Sequence, residues 1–464
     1  MTSTRTQEPG PDSDRCPAPG TGPHHPAVVG ATRVLTGPAG TPPALHLAVS
    51  DLPDPGPDRP WQADRQAFGT SWAGPEQARR SAEGEAVERL CNSVPPAPQR
   101  IRYATHEELT RRGIPALDPR RLVLYSPRQY ARPGFPFRPF LRDSPAHWIE
   151  GRFADRDEPV HVPAFLVYTA WRRMPHARPE PLYAFPALGG TAAGPTPGHA
   201  LRAGLAEVVE RDAAAVWWAH ARPLPALEPT PYLRGLTGGA SREFDIRLMY
   251  VENEFGAPVL AAGVRSRAEG WLTYGFAVRP DPVEAAAKAL AEAYTLHLTC
   301  RTLDNPAATV RTPGRPSPLK PWRADRRYLD SYRGDASDVV EQLCQQQLYL
   351  DRRAADRVAP WAWDLPPGRW SDVPRIDAGD AGDTLLDRVR AQGYEVITVD
   401  ITTPEATAAG MHAARTIVPG TAGAAPAAYP ALGAGRLQQA GTRLGWTSSP
   451  LPETALNTFP MPHS

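Results

Sequence analysis

Three stretches of this sequence repeat one helical pattern, in which a proline is followed ten residues later by a glutamate. Proline suits the first turn of a helix, because an N–H group there has no partner within the helix. In the first two stretches a second glutamate and an arginine follow at matching positions. The prolines are Pro75, Pro197 and Pro282, the shared glutamates are Glu85, Glu207 and Glu292, and the additional residues are Glu88 with Arg89 and Glu210 with Arg211. The pattern predicts three related helices with acidic groups at fixed places.

The spacing gathers the charged groups of each helix on one side. Residues three or four apart are neighbours on a helix surface, so Glu85, Glu88 and Arg89 form one patch, which Ser81 joins one turn earlier. The matching residues of the second helix form a second patch. Most surrounding residues are Ala, Val and Leu, and a carboxylate among them is costly unless a cation meets it.

The acidic patches allow two interpretations. In the first, each glutamate pairs with a nearby arginine on a solvated helix face. In the second, the five glutamates exceed the two arginines in charge, and Mg²⁺ balances the remainder, since this ion typically binds one or two carboxylates together with substrate phosphates. Arg89 and Arg211 would then hold phosphate through paired hydrogen bonds. Repetition of the same acid in three helices weakens the first interpretation, and the residues alone leave both open.

The overall charge excludes several classes of partner. Lys and Arg number 51 and Asp and Glu number 50, which gives a formal net charge of +1. We therefore expect no nucleic-acid partner and no polybasic membrane anchor. The sequence has no apolar run of about 18 residues and no secretory signal, so we expect no membrane span and a cytoplasmic location.

Strand-like and helix-like stretches are interspersed without a strict alternation, which predicts an α+β or mixed α/β fold. Strands are predicted at 44–49, 121–125, 162–168, 244–250, 259–263, 272–278 and 394–400, and a helix at 384–392. Residues 1–60 are predicted to be disordered or extended with one short strand, because residues 1–27 are rich in Pro, Gly, Ser and Thr. Residues 61–464 are predicted to form a single domain that includes a proline-rich tail.

The cysteines and tryptophans carry no sign of a separate function. The four cysteines stand singly, without the CxxC pairs typical of zinc sites, and we expect buried or inert thiols. The tryptophans at 217, 218 and 271 are expected to pack in the core. The cysteines are Cys16, Cys91, Cys300 and Cys344, and the tryptophans are Trp217, Trp218 and Trp271.

The motifs resemble the signatures of the YcaO family across residues 61–464. Ser81, Glu85, Glu88 and Arg89 resemble its first signature, Ser-x-x-x-Glu-x-x-Glu-Arg. The second helix, preceded by TAAG at 191–194, resembles Gly-Leu-x-Glu-x-x-Glu-Arg-Asp-Ala, and the third resembles Ala-Leu-x-Glu-Ala at 289–293. RTIVPG at 415–420, YPALG at 429–433 and RL at 436–437 resemble the azole-forming peptide maturases of this family. The order and spacing of the motifs make the set specific.

The resemblance implies a YcaO-type fold, with mixed sheets and three glutamate-bearing helices converging on an ATP site. It implies ATP and Mg²⁺ as cofactors. The implied metal ligands are Glu85, Glu88, Glu207, Glu210 and Glu292, and these five with Ser81, Arg89 and Arg211 line the implied nucleotide site.

Arg89, Arg211 and Ser464 are implied to be catalytic, the last because the tail of related enzymes reaches into the active site. Its neighbour His463 could serve as a base near neutral pH. We expect instead that His463 is exposed, as a histidine in such a tail usually is.

The resemblance also implies an activity. It is an ATP-dependent cyclodehydratase that phosphorylates a backbone amide oxygen of a ribosomal precursor peptide, so that Cys, Ser or Thr becomes thiazoline or oxazoline. One alternative keeps the fold but uses an external nucleophile, which gives a thioamide or an amidine. The other is a non-catalytic scaffold that binds peptide or partner. Three departures from the family pattern keep the scaffold alternative open. The loop at 69–74 lacks lysine, Thr295 stands where the family commonly has Gln, and His463 and Ser464 follow the last prolines.

The same resemblance sets the expected partners. They are a precursor peptide as substrate and a separate protein that recognises its leader, because the first 60 residues resemble no peptide-recognition module. A homodimer is expected from the family. Oxidation of azoline to azole needs a flavin enzyme, and since the sequence has no dinucleotide-binding fingerprint, we expect it to bind no FMN.

Overall fold

The computed structural model describes residues 29–37, 41–54, 65–94, 97, 100–174, 178–186, 189–238, 242–308, 317–376 and 384–463. Helices and strands are interspersed, and the strands form three sheets, so the predicted mixed α+β fold is confirmed. The strands are β1 (Thr32–Leu35), β2 (His46–Asp51), β3 (Gln66–Ser71), β4 (Ile101–Ala104), β5 (Ala146–Phe153), β6 (Pro159–Pro163), β7 (Thr191–Gly194), β8 (Ala226–Leu227), β9 (Phe244–Tyr250), β10 (Val259–Ser266), β11 (Leu272–Val278), β12 (Ile397–Asp400) and β13 (His412–Ile417). The helices are α1 (Pro75–Ser93), α2 (His106–Arg111), α3 (Pro127–Tyr130), α4 (Pro197–His220), α5 (Pro231–Thr237), α6 (Pro282–Asp304), α7 (Gln342–Leu348), α8 (Arg352–Ala362), α9 (Leu385–Ala391), α10 (Pro404–Ala408) and α11 (Arg436–Arg443).

A three-stranded antiparallel sheet in the order β1-β2-β3 supports helix α1. A Cβ atom at Gly69 of β3 would lie 2.3 Å from the carbonyl oxygen of Ala78 in α1, so only glycine permits this close approach. Strand β2 covers most of the short strand predicted at 44–49. Strand β2 pairs with β3, which lies beyond residue 60, so one sheet contains strands from both predicted segments, 1–60 and 61–464. The boundary between these segments stays a prediction.

A four-stranded antiparallel sheet, in the order β11-β10-β9-β8, supports α6. Strand β11 is buried along its whole length, because α6 covers one face and α4 approaches the other. A Cβ atom at Gly275 would lie 2.1 Å from the carbonyl oxygen of Ala289, which brings the middle of α6 directly onto the strand. The predicted strands at 244–250, 259–263 and 272–278 are all present here.

The third sheet has six strands in the order β4-β5-β12-β13-β7, with β6 on β5. Helix α4 packs against β7 and β13, so it lies between this sheet and the four-stranded one. The predicted helix at 384–392 and strand at 394–400 correspond to α9 and β12.

Two strand predictions fail in the third sheet's neighbourhood. Residues 121–125 form no strand, because a short 3₁₀ turn at Pro119–Arg121 is followed by an extended segment that finds no ladder partner among the described residues. The strand predicted at 162–168 ends at Pro163, which has no N–H group to continue a ladder, and a 3₁₀ turn at Ala164–Leu166 follows.

The expected core residues are buried. Trp217, Trp218 and Trp271 all pack in one apolar cluster, which confirms that prediction. Cys91, Cys300 and Cys344 are free and buried, and burial raises the pKa of the Cys91 thiol to about 11 and that of Cys300 to about 12. Cys16 lies outside the described residues. Within the described part of the chain, none of the helices is long and apolar enough to cross a bilayer.

We predict that Gly275→Ala lowers the thermal unfolding temperature, by the equivalent of about 1–3 kcal/mol, because its new methyl group forces α6 away from β11. Gly84→Ala on α1 is the matched control, since a Cβ atom there meets nothing within 4 Å. Alanine should be neutral or stabilise that helix by up to about 1 kcal/mol. Equal unfolding temperatures for wild type and Gly275→Ala would contradict the packing described.

Candidate active site

Helices α1, α4 and α6 bring their glutamates to one place. Helix α4 lies in the middle and is capped by Thr196, whose side chain accepts a hydrogen bond from the N–H of His199. Helix α1 reaches it across β7, and α6 reaches it across β11. The shared spacing from proline to glutamate therefore places Glu207 and Glu292 at a common centre, with Glu85 close enough to Glu207 for their charges to interact.

Arg211 of α4 lies at that centre. Its guanidinium nitrogens are 3.6 Å from Glu207, 3.7 Å from Glu210 and 3.9 Å from Glu292 of α6. Burial acts to lower the pKa of Arg211, but the three carboxylates outweigh it and raise that pKa. A permanently charged group is thus fixed among three acids of two helices.

The α1 pair follows the simpler of the two interpretations. Arg89 donates from Nε to Glu85 at 2.9 Å, and both side chains are somewhat over one-third exposed. This contact is the helix-face ion pair expected for residues four apart. Arg89 and Glu85 therefore neutralise each other in this structure, and the excess negative charge comes from the other glutamates.

Backbone N–H groups hold two of the remaining glutamates. Glu88 accepts from the N–H of Ala193 in β7 at 2.8 Å, and Glu207 accepts from that of Gly190 at 2.8 Å. Burial, with the nearby charges of Glu85 and Glu207, raises the pKa of Glu88 well above its usual range. Burial also raises the pKa of Glu207, although Arg211 opposes it.

Glu210 and Glu292 complete the set. Burial, together with the nearby charges of Glu292 and Glu207, raises the pKa of Glu210 to about 8 against the opposing charge of Arg211. Glu292 accepts a hydrogen bond from the N–H of Phe276 in β11 at 3.1 Å. The cluster therefore holds more carboxylates than nearby cations can keep ionised, and an additional positive charge would relieve it.

This donor set suits Mg²⁺ bound jointly with phosphate. Among the described residues, no three acidic, histidine or cysteine side chains already enclose a metal position. Mg²⁺ keeps several non-protein ligands and commonly takes one or two carboxylates with substrate phosphates, so a closed protein cage is not required. Carboxylate oxygens are the correct donors, and their raised pKa values show that a cation is favoured there.

The remaining predicted site residues lie at the margins. The Ser81 hydroxyl, one turn before Glu85, donates to the Gln77 carbonyl oxygen of its own helix at 3.0 Å. Ser464 lies outside the described residues. The Thr295 hydroxyl donates to the Ala291 carbonyl oxygen within α6. In the lysine-free loop, Trp72 donates to the carbonyl oxygen of Ala287 at 2.6 Å and ties the start of α1 to α6.

The tail approaches the cluster as a fixed segment. Carbonyl oxygens of Phe459, Pro460 and Pro462 accept hydrogen bonds, from the Trp218 ring N–H, the Tyr349 hydroxyl and the Tyr274 backbone N–H respectively, at 2.6–2.8 Å. Proline cannot donate from its backbone, so these contacts use its carbonyl group alone.

The expectation that His463 is exposed is wrong. Only 4% of the residue is accessible, because the bonded tail carries it into the core beside Arg211 and 4.0 Å from Glu292. Burial and the charge of Arg211 lower the pKa of His463 to about 4. Its Nδ1–H donates to the Tyr274 carbonyl oxygen at 2.9 Å, which leaves the Nε2 lone pair facing Arg211.

Two buried arginines are not among the site residues predicted from the sequence. Arg415 of β13 donates to the Thr191 hydroxyl at 2.9 Å, and burial lowers its pKa to about 10. Arg436 of α11 donates to both carboxylate oxygens of Asp212, the residue after Arg211, and at 2.8 Å to Glu254. The RTIVPG and RL motifs contain these arginines, and a lone arginine among apolar residues is the available signal.

The family can now be assigned. The sequence profile of the family described as YcaO cyclodehydratase, ATP- and Mg²⁺-binding, matches residues 72–422. The chain belongs to the YcaO family. ATP and Mg²⁺ are the cofactors of its YcaO domain, as predicted. Among curated proteins, none matches the sequence significantly.

Solved structures show the same YcaO fold. A heterocyclase in complex with substrate and cofactor matches with a TM-score of 0.66 and 21% identity, over 94% of this chain and 55% of its own. The heterocyclase TruD matches with a TM-score of 0.58 and 23% identity, over 84% of this chain and 51% of its own. The YcaO protein from Methanopyrus kandleri bound with AMPPCP and Mg²⁺ matches with a TM-score of 0.53 and 20% identity, over 85% of this chain and 87% of its own. The chain spans about half the length of the two heterocyclases.

We predict that Glu210→Gln stabilises the protein relative to wild type when neither nucleotide nor metal is bound. The gain in the free energy of unfolding should increase as the pH rises from about 5 to about 9. The pKa of the Glu210 carboxyl in the folded state is about 8, above its ordinary 4.5. The Glu210 carboxyl therefore stabilises the folded state fully at a pH below its ordinary pKa of 4.5, and this contribution is lost as the pH rises through 8. Thermal unfolding at both pH values measures the difference, with the exposed Glu284→Gln of α6 as control. Identical pH responses of the two variants would refute the prediction.

Proposed function

We propose that this chain is the ATP-using cyclodehydratase of a peptide-modifying system. It converts Cys, Ser or Thr of a ribosomal precursor peptide into thiazoline or oxazoline, with ATP consumed to ADP and phosphate. The observation that carries this proposal is the meeting of glutamates from α4 and α6 around Arg211. The α1 glutamates lie close enough to Glu207 for their charges to interact. Membership of the YcaO family supports it.

In this proposal the five glutamates hold Mg²⁺ against the phosphates of ATP. They are Glu85, Glu88, Glu207, Glu210 and Glu292, with Ser81, Arg89 and Arg211 lining the nucleotide site. The raised pKa values of Glu88 and Glu210 support this assignment, since a bound cation would allow both to ionise. When bound, Mg²⁺ supplies charge neutralisation for the transferring phosphoryl group.

The proposed reaction closes a ring in two stages. The substrate thiol or hydroxyl attacks the preceding peptide carbonyl carbon, and its proton leaves, so the former carbonyl oxygen becomes an alkoxide. That oxygen takes the γ-phosphoryl group of ATP, and ADP departs. The amide nitrogen then loses its proton as the C–O bond breaks, which forms the C=N bond and releases phosphate. The peptide thus loses one water, and ATP carries the oxygen away as phosphate.

The chain's own residues contribute positioning and electrostatics, which dominate phosphoryl transfer. Arg211 is held by three glutamates and His463, so its guanidinium needs little reorganisation to meet developing charge. His463 is neutral near pH 7 because its pKa is about 4, so it accepts rather than donates at Nε2. A catalytic role for Ser464, which follows it, stays a prediction from the family resemblance.

The proposed partners are a precursor peptide and a separate protein that recognises its leader, with a homodimer of this chain. One of the solved heterocyclases with this fold is in complex with substrate and cofactor, which supports a substrate and a cofactor bound by this chain. Recognition of the leader by a second protein would leave the cluster around Arg211 to act on the residues that are modified.

Mass spectrometry of the modified precursor tests the reaction. The protein is incubated with its partner, a Cys- and Ser-rich precursor from a neighbouring gene, Mg²⁺ and ATP. We expect loss of one water for each ring, with ADP formed in proportion. A product in which sulfur has replaced oxygen would identify a thioamide-forming enzyme instead. An unchanged peptide and unchanged ATP would favour a scaffold.

We predict that Glu292→Gln lowers the rate of ATP-dependent water loss by about 10²–10³-fold, because it removes one electrostatic group from the cluster. Glu284→Gln, on the same helix but exposed, is the control and should retain the wild-type rate. Circular dichroism confirms that both variants fold. A Glu292→Gln rate within about threefold of the control would remove Glu292 from the proposed site.

A further inference from the structure

An apolar pocket opens beside Arg211, on the side away from the tail. Its walls come from the extended segment at 122–125, the residues before β7, and the loop after β13. Side chains in its lining include Tyr125, Ala184, Phe185, Val208, Ile417 and Tyr429. The Tyr125 hydroxyl accepts from the backbone N–H of Phe185 at 2.9 Å, which ties two of these walls together. Its described lining includes no acidic side chain.

This pocket shares a wall with the glutamate cluster. Arg211 lines the pocket and contacts three of the glutamates. Gly189 also lines it, and a Cβ atom there would lie 3.0 Å from the Arg211 side chain and 3.6 Å from the Glu207 carboxylate. An occupant of the pocket is therefore in reach of the groups proposed to hold the phosphates.

The pocket also has a hydrogen-bond donor with no assigned partner. Arg415 lines it, is only 2% exposed and donates from Nη1 to Thr191. Its Nε–H, although buried, meets no acceptor among the described residues. A buried donor of this kind costs free energy, and a small shift of the Arg415 side chain toward the pocket would let an oxygen atom of an occupant satisfy it.

The position of the pocket separates it from the proposed nucleotide end of the site. Thr191, the partner of Arg415, also accepts from Asn92 in the last turn of α1 at 2.9 Å. Ser81, proposed to line the nucleotide, lies about 16 Å earlier along the same helix. Arg415, in the lining of the pocket, is thus linked through Thr191 to the end of α1 that lies farther from Ser81.

We propose that this pocket binds the substrate residue whose carbonyl is activated, the one before the cyclised Cys, Ser or Thr. Its apolar side chain enters between Tyr125, Phe185 and Tyr429, and a carbonyl oxygen of the peptide accepts from Arg415. This inference rests on the proposed function, since the carbonyl under attack is one bond from the Cα that carries that side chain. The pocket therefore selects large apolar residues, such as leucine, over glycine at that position.

Saturation-transfer NMR tests the pocket without requiring turnover. The probes are N-acetyl-leucyl-cysteine amide and N-acetyl-glycyl-cysteine amide, each with Mg²⁺ and a non-hydrolysable ATP analogue. We expect strong transfer from the protein to the leucine methyl groups. Ala184→Phe, which fills the pocket, should reduce that transfer roughly fivefold or more. Ala215→Phe is the matched control, since Ala215 of α4 lines the neighbouring pocket beside the tail, and it should leave the transfer unchanged.

Several results would overturn the inference. They are absent transfer to leucine in the wild type, equal transfer in Ala184→Phe, or loss of ATP-analogue binding in that variant, which would make this a nucleobase pocket. If Ala184→Phe does not fold, Tyr429→Ala removes a wall, and transfer must then fall at least about threefold. Water loss from the precursor is read separately. Water loss without leucine selectivity refutes the pocket alone, whereas leucine binding without water loss refutes the proposed function.

Discussion

The ion pairs between Arg211 and the glutamates of two helices are the interaction on which the site depends. One guanidinium offsets three carboxylates that burial disfavours, and loss of that cation would leave them uncompensated. A single arginine cannot neutralise the whole set, so the remaining cost appears as raised pKa values at Glu88, Glu207 and Glu210. The positive charge still missing is the physical reason for the proposal that metal-bound phosphate binds here.

Backbone N–H groups in and beside the sheets also hold these glutamates, through hydrogen bonds. The N–H groups of Gly190 and Ala193 orient Glu207 and Glu88, and that of Phe276 orients Glu292. Gly190 has a φ of +94°, and a Cβ atom there would lie 2.5 Å from the Thr416 carbonyl oxygen, so the segment before β7 requires glycine. Backbone geometry, rather than flexible side chains, therefore sets the directions in which these carboxylates point.

The helices and their acidic residues could be predicted because the information is local. A proline start, a repeated spacing and an excess of acids over arginines are all visible in the sequence, and α1, α4 and α6 begin at the expected prolines. Ladder partners are not visible, which is why the sequence predicts a strand at 121–125 although the fold gives it no neighbour to pair with. The burial of His463 depends on contacts of the tail with β11 and α4, which no local pattern indicates. A lone arginine among apolar residues signals Arg415, but its position depends on the pairing of β13 with β7.

The tail has a consequence for how molecules enter and leave. Its carbonyl groups satisfy donors on α4, on β11 and at the end of α7, and each donor would be stranded in apolar surroundings if the segment withdrew. Each stranded donor costs on the order of 1–3 kcal/mol, so departure of the whole segment is strongly disfavoured. The segment therefore forms a fixed wall of the glutamate cluster, and a molecule that reaches the cluster does so without displacing it.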